Sequence, residues 1–192
     1  MLPTTVQLDL PEWAHGIIDP ARTWPGDEAK VRLAIDLSRR NIEAYSGGPF
    51  GAAVFDADTD RVVAIGVNRV LPQHCSVAHA ETMALMLAQR HLGRARLNRD
   101  PDGNRVGRYV LATSAQPCCQ CYGAIVWAGI DRLLIGARSA DVEALTEFDE
   151  GPLPADWPGE LERRGIEVAR DIARDAACEV LGAYGSSGAR HY

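Results

Sequence analysis

The chain has 192 residues, 46% of them hydrophobic and 24% charged. That balance belongs to a soluble globular chain with enough apolar material for a core, so it excludes disorder over the whole length and leads us to expect one domain. Twenty Lys and Arg against 26 Asp and Glu leave a net charge of −6, which disfavours a surface built to grip nucleic-acid phosphates; no apolar run is long enough for a membrane span, the best candidate being cut off by Asp131 and Arg132.

Residues 1–26 carry Pro3, Pro11, Pro20, Pro25 and Gly26 without periodicity and read as an irregular arm, anchored to the body by Trp13 and Trp24. The start holds Asp9 and no basic residue ahead of a long apolar stretch, so a secretory signal is not expected and a cytoplasmic address is. Over residues 27–45, Val31, Ala34, Ile35, Ile42 and Tyr45 recur at helical spacing until Gly47-Gly48-Pro49 breaks the pattern. Residues 50–55 and 61–68 are β-rich runs separated by Asp56 to Asp60, which is turn chemistry, and predict an antiparallel hairpin.

A second helix is predicted over 79–91, nearly all apolar around Met83, Leu85, Met86 and Leu87 and therefore buried. Residues 93–108, with Arg94, Arg96, Arg99, Arg105 and Arg108, read as a solvated polar loop. A strand over 109–113, a helix over 118–128 closed by Gly129, and a strand over 132–137 follow. A loop containing residues 147–154 leads to a fifth strand over 165–170 and a last helix over 171–184. The alternation predicts crossover units and a sheet sandwiched between helices, one domain over 27–184, with a small polar tail over 185–192.

The cysteines carry the first chemical clue. Cys75, Cys118, Cys119, Cys121 and Cys178 are odd in number, and three fall within four positions, which suits metal or thiol chemistry better than a disulfide frame. Pro117 opens a helix on which Cys118 and Cys121, three apart, share one face near the positive end, where thiolates and zinc are favoured. Cys119 is turned by about 100° and should point elsewhere.

Upstream, His79-Ala80-Glu81 starts the buried helix. His79, Cys118 and Cys121 make three protein ligands and leave a fourth position open, the arrangement of a catalytic zinc rather than a structural one. Glu81, too far round to complete the ligand set with good geometry, is placed to move protons.

His79-Ala80-Glu81 followed by Pro117-Cys118-Cys119-Gln120-Cys121 resembles the H-x-E…P-C-x-x-C signature of the cytidine-deaminase-like zinc deaminases. Gly48-Pro49-Phe50-Gly51-Ala52, Gly66-Val67-Asn68-Arg69, Gly123-Ala124-Ile125-Val126-Trp127 and Glu147-Phe148-Asp149-Glu150-Gly151 are most similar to bacterial guanine deaminases of that fold. The resemblance implies an α/β fold, a three-layer α/β/α sandwich with a central mixed five-stranded sheet, a homodimer and Zn²⁺. It implies Glu81 as the proton shuttle and Glu150 as a second acid near the leaving group. It also implies that the tail over 185–192 closes the site, with His191 and Tyr192 over the base, from the same chain or its partner.

The residues have their own logic beside this. Deamination of guanine needs water added at C2, a proton at N3 and another at the departing amine. Asn41 and Asn68 offer amide donors and acceptors that suit a purine edge, and could equally cap a helix or close a turn. Phe50 and Trp127 could wall a flat pocket or fill the core. The reading is a small-molecule aminohydrolase taking guanine to xanthine and ammonia. Its rivals are a deaminase of ammeline, cytosine, another aminopurine or a nucleoside, a tRNA adenosine deaminase, which the acidic balance opposes, and a structural zinc module in which Glu81 is incidental.

Overall fold

The computed structural model describes residues 1–188. Helix α1 (Asp27–Glu43) leads into the hairpin β1 (Gly51–Asp56) and β2 (Val62–Val67), followed by the single turn α2 (Val70–Gln73) and helix α3 (Ala80–Leu92). Then come β3 (Tyr109–Ala115), α4 (Cys119–Ala128), β4 (Arg132–Ala137), α5 (Ser139–Thr146), α6 (Trp157–Glu162), β5 (Glu167–Ala169) and α7 (Arg174–Gly185). The strands form one sheet in the order β2-β1-β3-β4-β5. β1 is antiparallel to both β2 and β3, while β3, β4 and β5 run parallel, so the sheet is mixed and five-stranded as expected.

Side chains alternate across the strands and divide the core in two. Ala53, Phe55, Ile65, Val67, Val110, Ala112 and Leu134 face α1, α5 and α7 through Val31, Ile35, Leu37, Val142, Val180 and Leu181. Ala52, Val54, Leu111, Leu133 and Ile135 face the opposite layer, meeting Ala84 and Leu85 of α3, Ile125 of α4 and Leu161 of α6. The result is three layers, helix, sheet and helix. α3 lies against β2 with almost no gap: a Cβ on Gly66 would collide with the Ala80 carbonyl and come within 2.5 Å of the Ala84 nitrogen. Glycine at this position sets how near the helix can come to the sheet.

Three stretches depart from the expectation. Residues 138–164 contain α5 and α6 rather than a plain loop. Asp141 accepts the Arg138 N–H at 2.8 Å to start α5, and Asp156 accepts the Gly159 N–H at 3.1 Å to start α6, so local caps organise segments with little periodicity. α2 inserts a further turn between β2 and α3. The arm over 1–26 contains a 3-10 turn at Glu12–Ala14 and an isolated bridge from Thr23 to Arg61. Trp24 is buried, with its ring edge-on to Phe55 at 6.2 Å, and so anchors the arm as predicted. Among the described residues no helix is long and apolar enough to cross a membrane.

Candidate active site and metal centre

Two helix starts converge to build the centre. His79 is the residue before α3 and Cys118 the residue before α4, both with extended backbone, and Cys121 sits in the first turn of α4. Both positive helix ends therefore face the cluster, which favours thiolates there. His79 Nδ1 lies 3.4 Å from Cys118 Sγ and 3.6 Å from Cys121 Sγ, and the three ligand atoms all fall within 4.8 Å of one another.

This spacing fits zinc. Zn–S bonds of about 2.3 Å and Zn–N bonds of about 2.1 Å at tetrahedral angles separate sulfur from nitrogen by about 3.6 Å. Two sulfurs and an imidazole also select zinc over hard cations. Cys119 takes no part: it is exposed, on another side of the helix, as its position in the turn requires.

The charges around the cluster are strongly coupled. A hydrogen bond from Cys121, helped by His79, pulls the Cys118 thiol down to about 4, and Cys121, holding the shared proton and buried, is pushed well up. Burial raises Glu81 to about 7, assisted by the negative Cys118 and opposed by His79. Burial resists protonation of His79, but the bond to Cys118 and the charge of Glu81 leave its affinity raised. Glu150 is raised to about 8 by burial first, then by the charges of Cys118 and Glu81. Two carboxyls with displaced affinities at one cavity are the arrangement expected of groups that exchange protons in a reaction.

The cavity joins most of the expected residues. His79, Cys118, Glu81 and Glu150 line it together with Asn68 and Phe50. Asn68, at the end of β2, accepts the Gly48 and Val70 N–H groups at its Oδ1, each at 3.3 Å, which orients its carboxamide. Glu150 arrives on the loop after α5, where the Cys119 N–H donates to its backbone carbonyl at 3.0 Å. The ring of Phe148 on that loop tilts against Phe50 at 5.4 Å and stacks on Tyr184 of α7 at 5.9 Å, tying both cavity walls to the last helix.

Gln116, Phe148 and Asp149 also line the cavity and were not anticipated as contacts. Gln116 precedes Pro117 at the strand-to-helix turn, a position that could have marked it; its Nε2 donates to Ser139 Oγ at 3.2 Å. Phe148 offered only an aromatic among acids.

Two expected contacts lie elsewhere. Trp127 is 73% exposed on the outer side of α4, because Cys121, Ile125 and Ala128 occupy the face turned inward. Asn41 is fully buried behind the cavity, and its amide donates to the Gly48 and Asn68 carbonyls, each at 2.9 Å. His191 and Tyr192 lie outside the described residues.

Residues 25–137 match the family described as the cytidine and deoxycytidylate deaminase zinc-binding region. A guanine deaminase of Bacillus subtilis (strain 168) is 32% identical over 139 residues, covering 72% of this chain and 81% of that protein. The solved guanine deaminase from Nitrosomonas europaea superposes with a TM-score of 0.89 at 42% identity, covering 97% of this chain and 99% of that one. A structure of NE0047 in complex with 2,6-diaminopurine gives 0.82 at 46% identity over 89% of this chain and 87% of that one.

Proposed function

Because the chain belongs to the cytidine and deoxycytidylate deaminase zinc-binding family, we propose that it is a zinc-dependent hydrolase that converts guanine to xanthine and ammonia. One observation carries the reading: a three-ligand zinc cluster and two buried carboxyls of raised affinity open on a single cavity with an aromatic wall and a fixed amide. The guanine deaminases similar to this chain, and the 2,6-diaminopurine held by one relative, support a purine base as the substrate.

Overall, the C2–N bond of the exocyclic amine breaks, a C2–O bond forms, and water supplies the oxygen and the protons. His79, Cys118 and Cys121 would hold the zinc, which when bound would supply Lewis-acid activation of that water. Glu81, with its affinity near 7, takes up a proton and releases it to ring nitrogen N3, acting as base and then as acid. Glu150, with its affinity near 8, stays protonated at neutral pH, donates to the departing amine and regains a proton as the C2 hydroxyl becomes a carbonyl. Asn68 presents its amide to the purine edge and Phe50 covers one face of the ring. Walls of Phe50 and Phe148 keep bulk water from competing for these protons.

The reading includes a homodimer. The exposed Trp127 of α4, with Met86 of α3 and Val77 just before α3 beside it, supplies an apolar face that a second copy would cover. The cavity belongs to a free base rather than to a nucleic acid.

The test is ammonia release from guanine, 2,6-diaminopurine, cytosine, ammeline, adenine and guanosine, run with metal analysis on the wild type and on Glu81→Gln. Guanine should be the best substrate. The variant should keep its zinc while losing about 10² to 10⁴-fold in turnover. Faster release from cytosine or ammeline would reassign the substrate, and near-full activity in Glu81→Gln would remove the mechanism.

A further inference from the structure

Asn68 stands at the end of a hydrogen-bond chain that begins in the N-terminal arm. Trp13 Nε1–H donates to Ser46 Oγ at 2.9 Å, and the Ser46 hydroxyl donates to Asn41 Oδ1 at 2.7 Å. Asn41 Nδ2 then donates to the Asn68 and Gly48 carbonyls, each at 2.9 Å. Gly48 N–H in turn donates to Asn68 Oδ1.

The two ends of this chain agree on its direction. An indole nitrogen only donates, so the Ser46 oxygen must accept from Trp13 and send its single proton onward. Asn41 Oδ1 at 2.7 Å is the nearer acceptor for that proton, ahead of the Asn41 backbone carbonyl at 3.2 Å, and Nδ2 is the end turned toward the Gly48 and Asn68 carbonyls. With the opposite amide orientation, oxygen would face oxygen at Gly48 and Asn68. The arm thus reinforces the amide orientation that the Gly48 and Asn68 carbonyls require. That amide joins the loop carrying Phe50 to the strand end carrying Asn68, and Phe50 and Asn68 are themselves bonded, the Asn68 N–H donating to the Phe50 carbonyl at 3.1 Å. Arg69 makes a second tie at the same corner, from Nε to the Asp9 carbonyl at 3.1 Å and from Nη1 to the Ser46 carbonyl.

We propose that Trp13, Ser46 and Asn41 are positioning residues for base binding: the arm is part of the scaffold that holds Asn68 and Phe50 against the purine. The proposal rests on the reading of Asn68 as a contact to the base.

Trp13→Phe keeps an aromatic ring while removing the donor and part of the indole's packing. Its KM for guanine should rise about 3- to 10-fold, the equivalent of one hydrogen bond, with kcat and zinc content nearly unchanged. Ser46→Ala should do the same, and Ser46→Thr should restore the wild-type value. In an Asn68→Ala background Trp13→Phe should add little, because its effect runs through that side chain. Hydrogen exchange gives a readout independent of turnover: the Gly48 and Val70 amides, which donate to Asn68 Oδ1, should exchange faster in Trp13→Phe. Full additivity with Asn68→Ala, or unchanged exchange at both amides, overturns the proposal. If the wild type ignores guanine while exchange quickens as expected, the base assignment falls and the relay stands.

Discussion

Cys119 and Glu150 are joined through the backbone: the N–H of the first residue of α4 donates to the carbonyl of the acidic residue at 3.0 Å. The helix that contributes Cys121 therefore also holds the loop that contributes the second acid.

Gly151 makes this contact intolerant of change. Its φ is 67°, and a Cβ built on it would lie 2.6 Å from Cys119 Sγ. Gly151→Ala should displace the loop and lower kcat about 10-fold or more, since both the left-handed backbone and the sulfur contact oppose it. Zinc content should stay whole. Adding Cys119→Ala removes the sulfur and should recover part of the rate, which steady-state kinetics on the two variants will measure. Equal rates in Gly151→Ala and the wild type would mean that the loop does not depend on this packing.

Metal analysis separates the three neighbouring cysteines. Cys118→Ala and Cys121→Ala should each lose zinc, because two remaining ligands hold it weakly. Cys119→Ala should retain a full equivalent. Retention in Cys118→Ala with loss in Cys119→Ala would show that the wrong helix face had been assigned.

The raised affinity of Glu150 fixes the sign of a pH effect on stability. Below about 4.5 the side chain is protonated both folded and unfolded, so Glu150→Gln and wild type should differ little on this account. Between about 4.5 and about 8 the folded chain keeps a proton that the unfolded chain gives up, so the wild type loses stability relative to Glu150→Gln as pH rises. Above about 8 the difference should level off in favour of the variant. Denaturant midpoints measured across this range will check it; a variant whose advantage grows toward acid would contradict the burial of this carboxyl.

Trp127 bears on assembly. Its 73% exposure, beside Met86 at 41% on α3 and Val77 at 49% just before that helix, leaves an apolar face next to the metal ligands. Trp127→Glu should convert the proposed dimer into monomers with zinc retained, as read by sedimentation at several concentrations. A dimer unaffected by the charge uses another face.

The metal centre was legible in the sequence because its ligands obey local geometry. Cys118 and Cys121 meet through one helical turn, and His79 and Glu81 share a helix start, so spacing alone carries most of the placement. The sheet was legible for a different reason: β1, β3 and β4 are short apolar runs bounded by turn residues, and helices on both faces bury them almost continuously. What depends on tertiary direction was not. α4 is apolar nearly all round, so nothing local showed that Trp127 turns outward. Asn41 has the functional groups of a substrate contact, and only the folded chain shows them spent on two backbone carbonyls. α5 and α6 were missed because single caps, Asp141 and Asp156, organise them.

The near-contact of α3 with β2 has a consequence for any genetic screen of this enzyme. Gly66 never meets the metal, but a side chain there lifts the stretch from Ala80 to Ala84, and His79 and Glu81 rise with it. A library scored on retained zinc will therefore rank Gly66 alongside the three ligands, and the map it yields will trace the thickness of the protein beneath the centre as well as its chemistry.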